Sequence, residues 1–159
     1  MSQANWLVKE AVIEDLNRWF SFADTVTKDF FDIDLAKDEK YRFGMKRNIN
    51  RSTAIYVEDS TKDACPIIGA MTYSPNQKHI SWLAVHPDYR NIGVASSLMN
   101  YMLVKMDGVK EIKVKTFQSD DEYGLAARSF YRKHGFTAGE ILLDDEYPHP
   151  VQVFTKRCY

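Results

Sequence analysis

Arg90, Gly93 and Ala95 stand at a spacing that suits the capture of an anion. They follow an apolar run, Ile80-Ser81-Trp82-Leu83-Ala84-Val85, and a proline, Pro87, that has no N–H to offer a strand ladder. A helical pattern opens at Gly93. The first N–H groups of a helix have no intrahelical partner and carry the positive end of its dipole. Small residues at 93 and 95 leave that backbone open, and Arg90 adds a fixed positive charge. No Asp or Glu occurs between Arg90 and Met106, although acids ordinarily favour a helix's first turn. A bound anion accounts for their absence. An ordinary strand-to-helix connection with a packing glycine fits the same residues.

Two stretches together carry a resemblance to a known family. Val85-x-Pro87-x-x-Arg90-x-x-Gly93-x-Ala95 resembles the acyl-CoA signature of the GCN5-related N-acetyltransferases (GNAT), in which Arg or Gln, two residues and Gly precede one residue and Gly or Ala. Downstream, Ala127-x-x-Phe130-Tyr131-x-x-x-Gly135-Phe136 resembles the family's later helix, which ends in a glycine and an aromatic residue. Order and separation both agree, and the resemblance covers Ile67 to Phe136. It implies an α+β fold (α/β by some schemes), one domain over residues 1–159. The sheet would be mixed and largely antiparallel, about six to seven strands with a splayed parallel pair, flanked by about four helices.

The resemblance also implies a chemistry. Acetyl-CoA would be a co-substrate, with no metal, and its acetyl group would pass directly to a primary amine through a tetrahedral intermediate. The pantetheine arm would pair with the backbone near Leu83, Ala84 and Val85. The diphosphate would rest on the N–H groups of Arg90, Asn91, Ile92, Gly93, Val94, Ala95 and Ser96. Lys133 or Arg128 would face a 3′-phosphate. Tyr131 matches the family's general acid, which protonates the departing thiolate; as a residue alone it also suits packing of a helix on a sheet. Two departures stand out. Ser81 occupies the place of a glutamate that serves many relatives as general base, leaving Glu58, Asp59 or a water chain as substitutes. Gly124 replaces an asparagine that caps the late helix in many relatives.

These residues need elements to hold them. Trp6 to Glu10 reads as a first strand. Ile13, Leu16, Phe20, Ala23 and Thr27 then follow helical spacing, with Trp19, Val26 and Phe30 widening the stripe. Asp34 is the expected N-cap of a second helix, Leu35 to Ile49. Strands are expected over Thr53–Glu58, Ile67–Ser74 and from Ile80, the last two joined by a Pro75–Lys78 hairpin. Gly69 marks a bulge or a close approach. A helix from Val94 stops near Asp107-Gly108. Glu111–Phe117 alternates apolar Ile112 and Val114 with Lys113 and Lys115, and should lie parallel to the Ile80 strand. The late helix runs from about Gly124 to His134, followed by strands from Phe136 to Leu143 and Val151 to Lys156.

Composition narrows the class. The chain has 159 residues, 45% of them hydrophobic, enough for one folded core. With 21 basic and 22 acidic side chains the net charge is −1, which points to neither nucleic acid nor a membrane surface as partner. Cys65 and Cys158 have neither zinc spacing nor disulfide density, and read as free thiols of a cytoplasmic protein. The four histidines offer no metal spacing. Glu58, Asp59, Asp144, Asp145 and Glu146 suggest a cationic amine acceptor, on a small molecule or a peptide. The late strands could pair with a second copy to form a homodimer. The other reading, motivated by Ser81, is a non-catalytic acyl-CoA-binding or regulatory module of the same fold.

Overall fold

The structure is a computed structural model that describes residues 5–27, 37–117, 122–143 and 150–158. Seven strands are ordered β1-β2-β3-β4-β5-β7-β6 among the described residues, with four α-helices. The strands are β1 (Lys9–Glu10), β2 (Ala54–Glu58), β3 (Ile67–Ser74), β4 (His79–Val85), β5 (Glu111–Phe117), β6 (Phe136–Leu142) and β7 (Val151–Arg157). The helices are α1 (Leu16–Thr27), α2 (Glu39–Asn50), α3 (Val94–Lys105) and α4 (Glu122–Lys133). One pair, β4 with β5, is parallel; β1–β2, β2–β3, β5–β7 and β6–β7 are antiparallel. This is the α+β arrangement expected from the sequence. The described residues form two compact units. One takes residues up to Tyr73 with Trp82–Lys105, the other Ser74–Ser81 with Met106 onward.

In the first unit β1 is shorter than its apolar pattern suggests. Only Lys9 and Glu10 pair with β2, opposite Tyr56 and Ile55. The cause is a distant partner: the Trp6 N–H donates to Ser97 Oγ at 3.1 Å instead of to a strand. Helix α1 begins after a 3₁₀ turn, Ile13–Asp15, in which Asp15 accepts the Val12 N–H at 2.9 Å. That turn leaves Ile13 exposed rather than on the buried stripe. Trp19, Phe20, Phe22, Ala23 and Val26 are buried from α1. The expected cap, Asp34, lies outside the described residues, as do Phe30 and Phe31. The described α2 is capped by Asp38, whose carboxylate accepts the Tyr41 N–H at 3.2 Å. Trp82 of β4 meets Trp19, Phe22 and Tyr41 with ring centroids 6.0–6.3 Å apart. The Trp19 indole donates to Tyr41 Oη at 2.9 Å, so this aromatic layer buries its polar atoms in pairs.

Of the two alternatives for Gly69, the close approach is the one found, and a bulge falls beside it. The β2–β3 register shifts between Val57 and Glu58, opposite Gly69 and Ile67. A Cβ on Gly69 would also lie 2.4 Å from Val94 Cγ1, so α3 begins almost on the strand.

In the second unit β4 pairs with β5 through His79↔Lys113 and Ile80↔Val114. Strand β5 pairs with β7 from Glu111↔Arg157 to Phe117↔Val151. Ile112, Val114 and Thr116 are buried while Lys113 and Lys115 are exposed, the alternation the sequence shows. Helix α4 ends at Gly135, whose φ of +87° is costly for any residue with a Cβ. The Lys156 ammonium donates to the nearby His134 carbonyl at 2.7 Å. Thr116 Oγ1 is buried and meets no hydrogen-bond partner among the described residues. A buried orphan hydroxyl costs about 1–3 kcal/mol. Thr116→Val keeps the shape and removes that atom. The variant is expected to melt about 2–4 °C higher, a gain of about 1 kcal/mol, by differential scanning calorimetry; a lower Tm would mean that the hydroxyl is satisfied in solution.

Candidate active site

The ten residues expected to meet a cofactor occupy one strand–turn–helix unit. Leu83, Ala84 and Val85 end β4 and are half-buried. Pro87–Tyr89 forms a 3₁₀ turn, with Pro87 in its first turn and His86 Nδ1 accepting the Asp88 N–H at 3.1 Å. Arg90 is extended, and its Nε donates to Val85 O at 3.4 Å. Asn91 and Gly93 then adopt left-handed backbone, φ +63° and +93°. The Ser97 N–H donates to Gly93 O at 2.9 Å, the first bond of α3. Gly93 is therefore the N-cap, and the N–H groups of Val94, Ala95 and Ser96 have no acceptor within the helix.

The local chemistry fits an anion. Left-handed residues followed by right-handed helix turn successive N–H groups toward one side, as anion-binding nests do. No acidic side chain enters the first turn of α3. Asn91 and Ile92 are exposed, Arg90, Ala95 and Ser96 half-buried, and Gly93 and Val94 buried. Solvent reaches this turn most freely at Asn91 and Ile92. The candidate basic side chains differ: Lys133 is exposed, whereas Arg128 is buried in α4.

A tyrosine ties the turn down from outside the motif. Tyr89 Oη donates to the Asp59 carboxylate, which also accepts the Thr61 N–H at 3.0 Å and the Thr61 hydroxyl. The Lys62 ammonium lies 5.6 Å from the Tyr89 ring centroid. The residue next to Arg90 is thus anchored to the β2–β3 connection. Nothing local in the sequence announces this pair, since its members are 30 positions apart. Tyr89→Phe removes the hydrogen bond and keeps the ring. We expect CoA affinity to fall about fivefold, the part of one charge-assisted bond that reaches the turn from outside it, in a fluorescence titration. Unchanged affinity would deny the anchor any influence on the turn.

The carboxylates considered as bases are already engaged. Glu58 accepts from Lys9, and from Arg18 at 2.8 Å. Those two hydrogen bonds, Lys9 first, hold its pKa below the ordinary carboxylate value. Arg18 also donates to Asp15 at 2.8 Å, to Tyr56 Oη at 3.1 Å and to Cys65 O. The Asp59 carboxyl is held down as well, first by the Thr61 hydroxyl and then by Tyr89. A lowered pKa makes a carboxylate a weaker proton acceptor near neutral pH. Ser81 is exposed and brings no carboxylate of its own. Asp144, Asp145 and Glu146 lie outside the described residues.

Tyr131 belongs to the second unit. It is 5% exposed on α4, against Phe136 and Phe154 with centroids 5.4 and 6.3 Å away. Burial alone pushes its hydroxyl's pKa upward. Its ring therefore packs helix on sheet, and its hydroxyl stays protonated across the physiological range. Gly124 lies within α4, two residues after that helix starts. Among the described residues no group of three or more His, Cys, Asp or Glu side chains could hold a metal ion, and no helix is long and apolar enough to cross a membrane.

Comparison with known proteins bears on the whole unit. The family description "Acetyltransferase (GNAT) domain" matches residues 51–138, more than half of the chain. A GNAT-family acetyltransferase from Bacillus cereus is similar in structure, with a TM-score of 0.70, 22% identity, and coverage of 95% of this chain and 96% of that one. Ard1 from Thermoplasma volcanium gives a TM-score of 0.75 at 15% identity, covering 98% and 99%. A ribosomal-protein-alanine N-acetyltransferase from Brucella melitensis gives 0.72 at 15% identity, covering 96% and 99%. At these identities the likeness is one of fold. Comparison with the curated proteins found no match.

Proposed function

This chain belongs to the acetyltransferase (GNAT) family, and from that premise we propose that it moves an acetyl group from acetyl-CoA to a primary amine on a small molecule or peptide. The observation that carries the proposal is the turn from Arg90 to Ser96. It combines two left-handed residues, the N-terminal N–H groups of α3, which have no acceptor within the helix, and a first turn free of acids. The family supplies acetyl transfer; this turn supplies the grip on a diphosphate.

In the reaction the neutral amine nitrogen attacks the thioester carbon. A C–N bond forms, the carbonyl becomes an oxyanion, and a backbone N–H is the donor suited to stabilise it. The intermediate then collapses, the C–S bond breaks and the nitrogen loses a proton. Glu58 and Asp59 are bound to their own partners, so that proton leaves through water rather than to either carboxylate. By the family resemblance, Tyr131 is the residue assigned to the departing thiolate. Its raised pKa lies above that of an ordinary thiol, about 8.5, so complete proton transfer to sulfur is uphill. The phenol therefore helps chiefly as a hydrogen-bond donor to the thiolate.

Engagement of both carboxylates also favours a second reading, a non-catalytic acyl-CoA-binding or regulatory module. Thiol release from acetyl-CoA across a panel of primary amines separates the two. The acetyltransferase reading expects amine-dependent release, with N-acetylated product by mass spectrometry. CoA binding without turnover on any amine would favour the module.

A further inference from the structure

We propose that Trp6 is a positioning residue that locks the peptide between Ile92 and Gly93 in the orientation that receives a diphosphate. The inference rests on the diphosphate reading given above. The Trp6 indole Nε1–H donates to Ile92 O at 2.9 Å, across 86 positions of sequence. Its backbone N–H donates to Ser97 Oγ at 3.1 Å, one turn into α3. A single residue therefore straps the loop and the helix it opens.

The geometry of the peptide gives the strap its consequence. A trans peptide is planar, and its C=O and N–H point in opposite directions. Among the described residues no peptide bond is cis. Holding Ile92 O against the indole thus directs the Gly93 N–H to the opposite side of the loop. Gly93, with φ +93°, has no Cβ to resist rotation of the peptide before it. Without the indole that peptide is free to flip. A flipped peptide would turn a carbonyl oxygen, with its partial negative charge, toward the anion in place of an N–H. Tyr89 anchors one end of the turn to Asp59, and Trp6 fixes the other. The motif spacing alone contains neither restraint.

The test uses the full chain. Wild type, Trp6→Phe and Leu7→Ala are each titrated with CoA and with pantetheine, which lacks the diphosphate, by isothermal calorimetry. Phe keeps a ring but has no N–H. Leu7 is 74% exposed and belongs to the same segment, so its change controls for general loosening. We expect Trp6→Phe to weaken CoA about fivefold to tenfold, as loss of one hydrogen bond and its oriented dipole implies, with pantetheine affinity unchanged and Leu7→Ala like wild type. CoA affinity unchanged in Trp6→Phe overturns the lock while leaving the diphosphate reading intact. Equal losses for CoA and pantetheine assign the indole to packing and also overturn it. A wild-type chain that binds pantetheine as tightly as CoA instead refutes the diphosphate reading beneath it.

Discussion

Tyr131→Phe is expected to lower kcat by about tenfold to a hundredfold and leave the fold intact. A hydrogen bond donated to a charged acceptor such as the departing thiolate is worth about 1.5–3 kcal/mol. The ring, with its contacts to Phe136 and Phe154, survives the change. Burial raises the hydroxyl's pKa, with no charged partner contributing among the described residues. Stability should hold or rise slightly, since a buried hydroxyl is costly to desolvate. Single-turnover kinetics with acetyl-CoA and a reactive amine read the rate, and calorimetry reads the fold. The pH dependence has a definite sign. A tyrosine with a raised pKa keeps its proton as pH climbs, so this group imposes no fall in rate below about pH 10, its ordinary value. A variant as fast as wild type would leave Tyr131 a packing residue and return the family's chemistry to another donor.

Gly69→Val should be among the most destabilising single changes in the first unit. The new Cβ would sit 2.4 Å from Val94 Cγ1, with Leu98 Cδ1 and Val85 Cγ2 at 3.5 and 3.6 Å. Val94 and Leu98 are buried and belong to α3, so relief requires moving that helix away from β3. Overpacking a dense core costs about 1–3 kcal/mol, and valine adds two methyl groups beyond the clashing atom. We expect a loss of about 3 kcal/mol, a fall in Tm of roughly 6–12 °C. CoA affinity should fall with it if, as proposed, the helix that Val94 opens receives the diphosphate on its N–H groups. Gly44→Ala is the contrast. Its Cβ would meet nothing within 4 Å, and alanine favours a helix interior. Denaturant melts of both variants read the difference. A Gly69→Val protein as stable as wild type would mean that α3 does not press on β3.

Much of this was legible because the determinants are local. Alternation in Glu111–Phe117 separates buried Ile112 and Val114 from the two lysines. Ile67–Ser74 reads as a strand at its observed bounds, and α3 opens where Gly93 places it. The losses occur where distant residues compete with local pattern. Trp6 and Val8 look like strand residues, yet Trp6 gives its hydrogen bonds to α3 and its loop. Ile13 fits a helical stripe, but the Asp15 turn places it in solvent. The site shows the same division. Spacing assembles Arg90 to Ser96 on one turn, because a contiguous motif needs no tertiary information. The fate of Glu58 and Asp59 depends on Lys9, Arg18 and Tyr89, which are 30 to 49 positions away. Free carboxylates in the sequence become occupied ones in the fold.

Occupancy of those carboxylates changes what an acceptor would meet. An amine approaching Glu58 or Asp59 would compete with cations and hydroxyls already in place. Recognition of a cationic acceptor by those two residues therefore carries an energetic cost that exposed acids would not impose.

Amide hydrogen exchange, with and without CoA, tests the central claim most directly. If a diphosphate rests on the start of α3, CoA will slow exchange at the backbone amides from Arg90 to Ser96 more than elsewhere in the first unit. CoA binding that leaves those amides exchanging at their free rates, with protection gathered on another element, would contradict it.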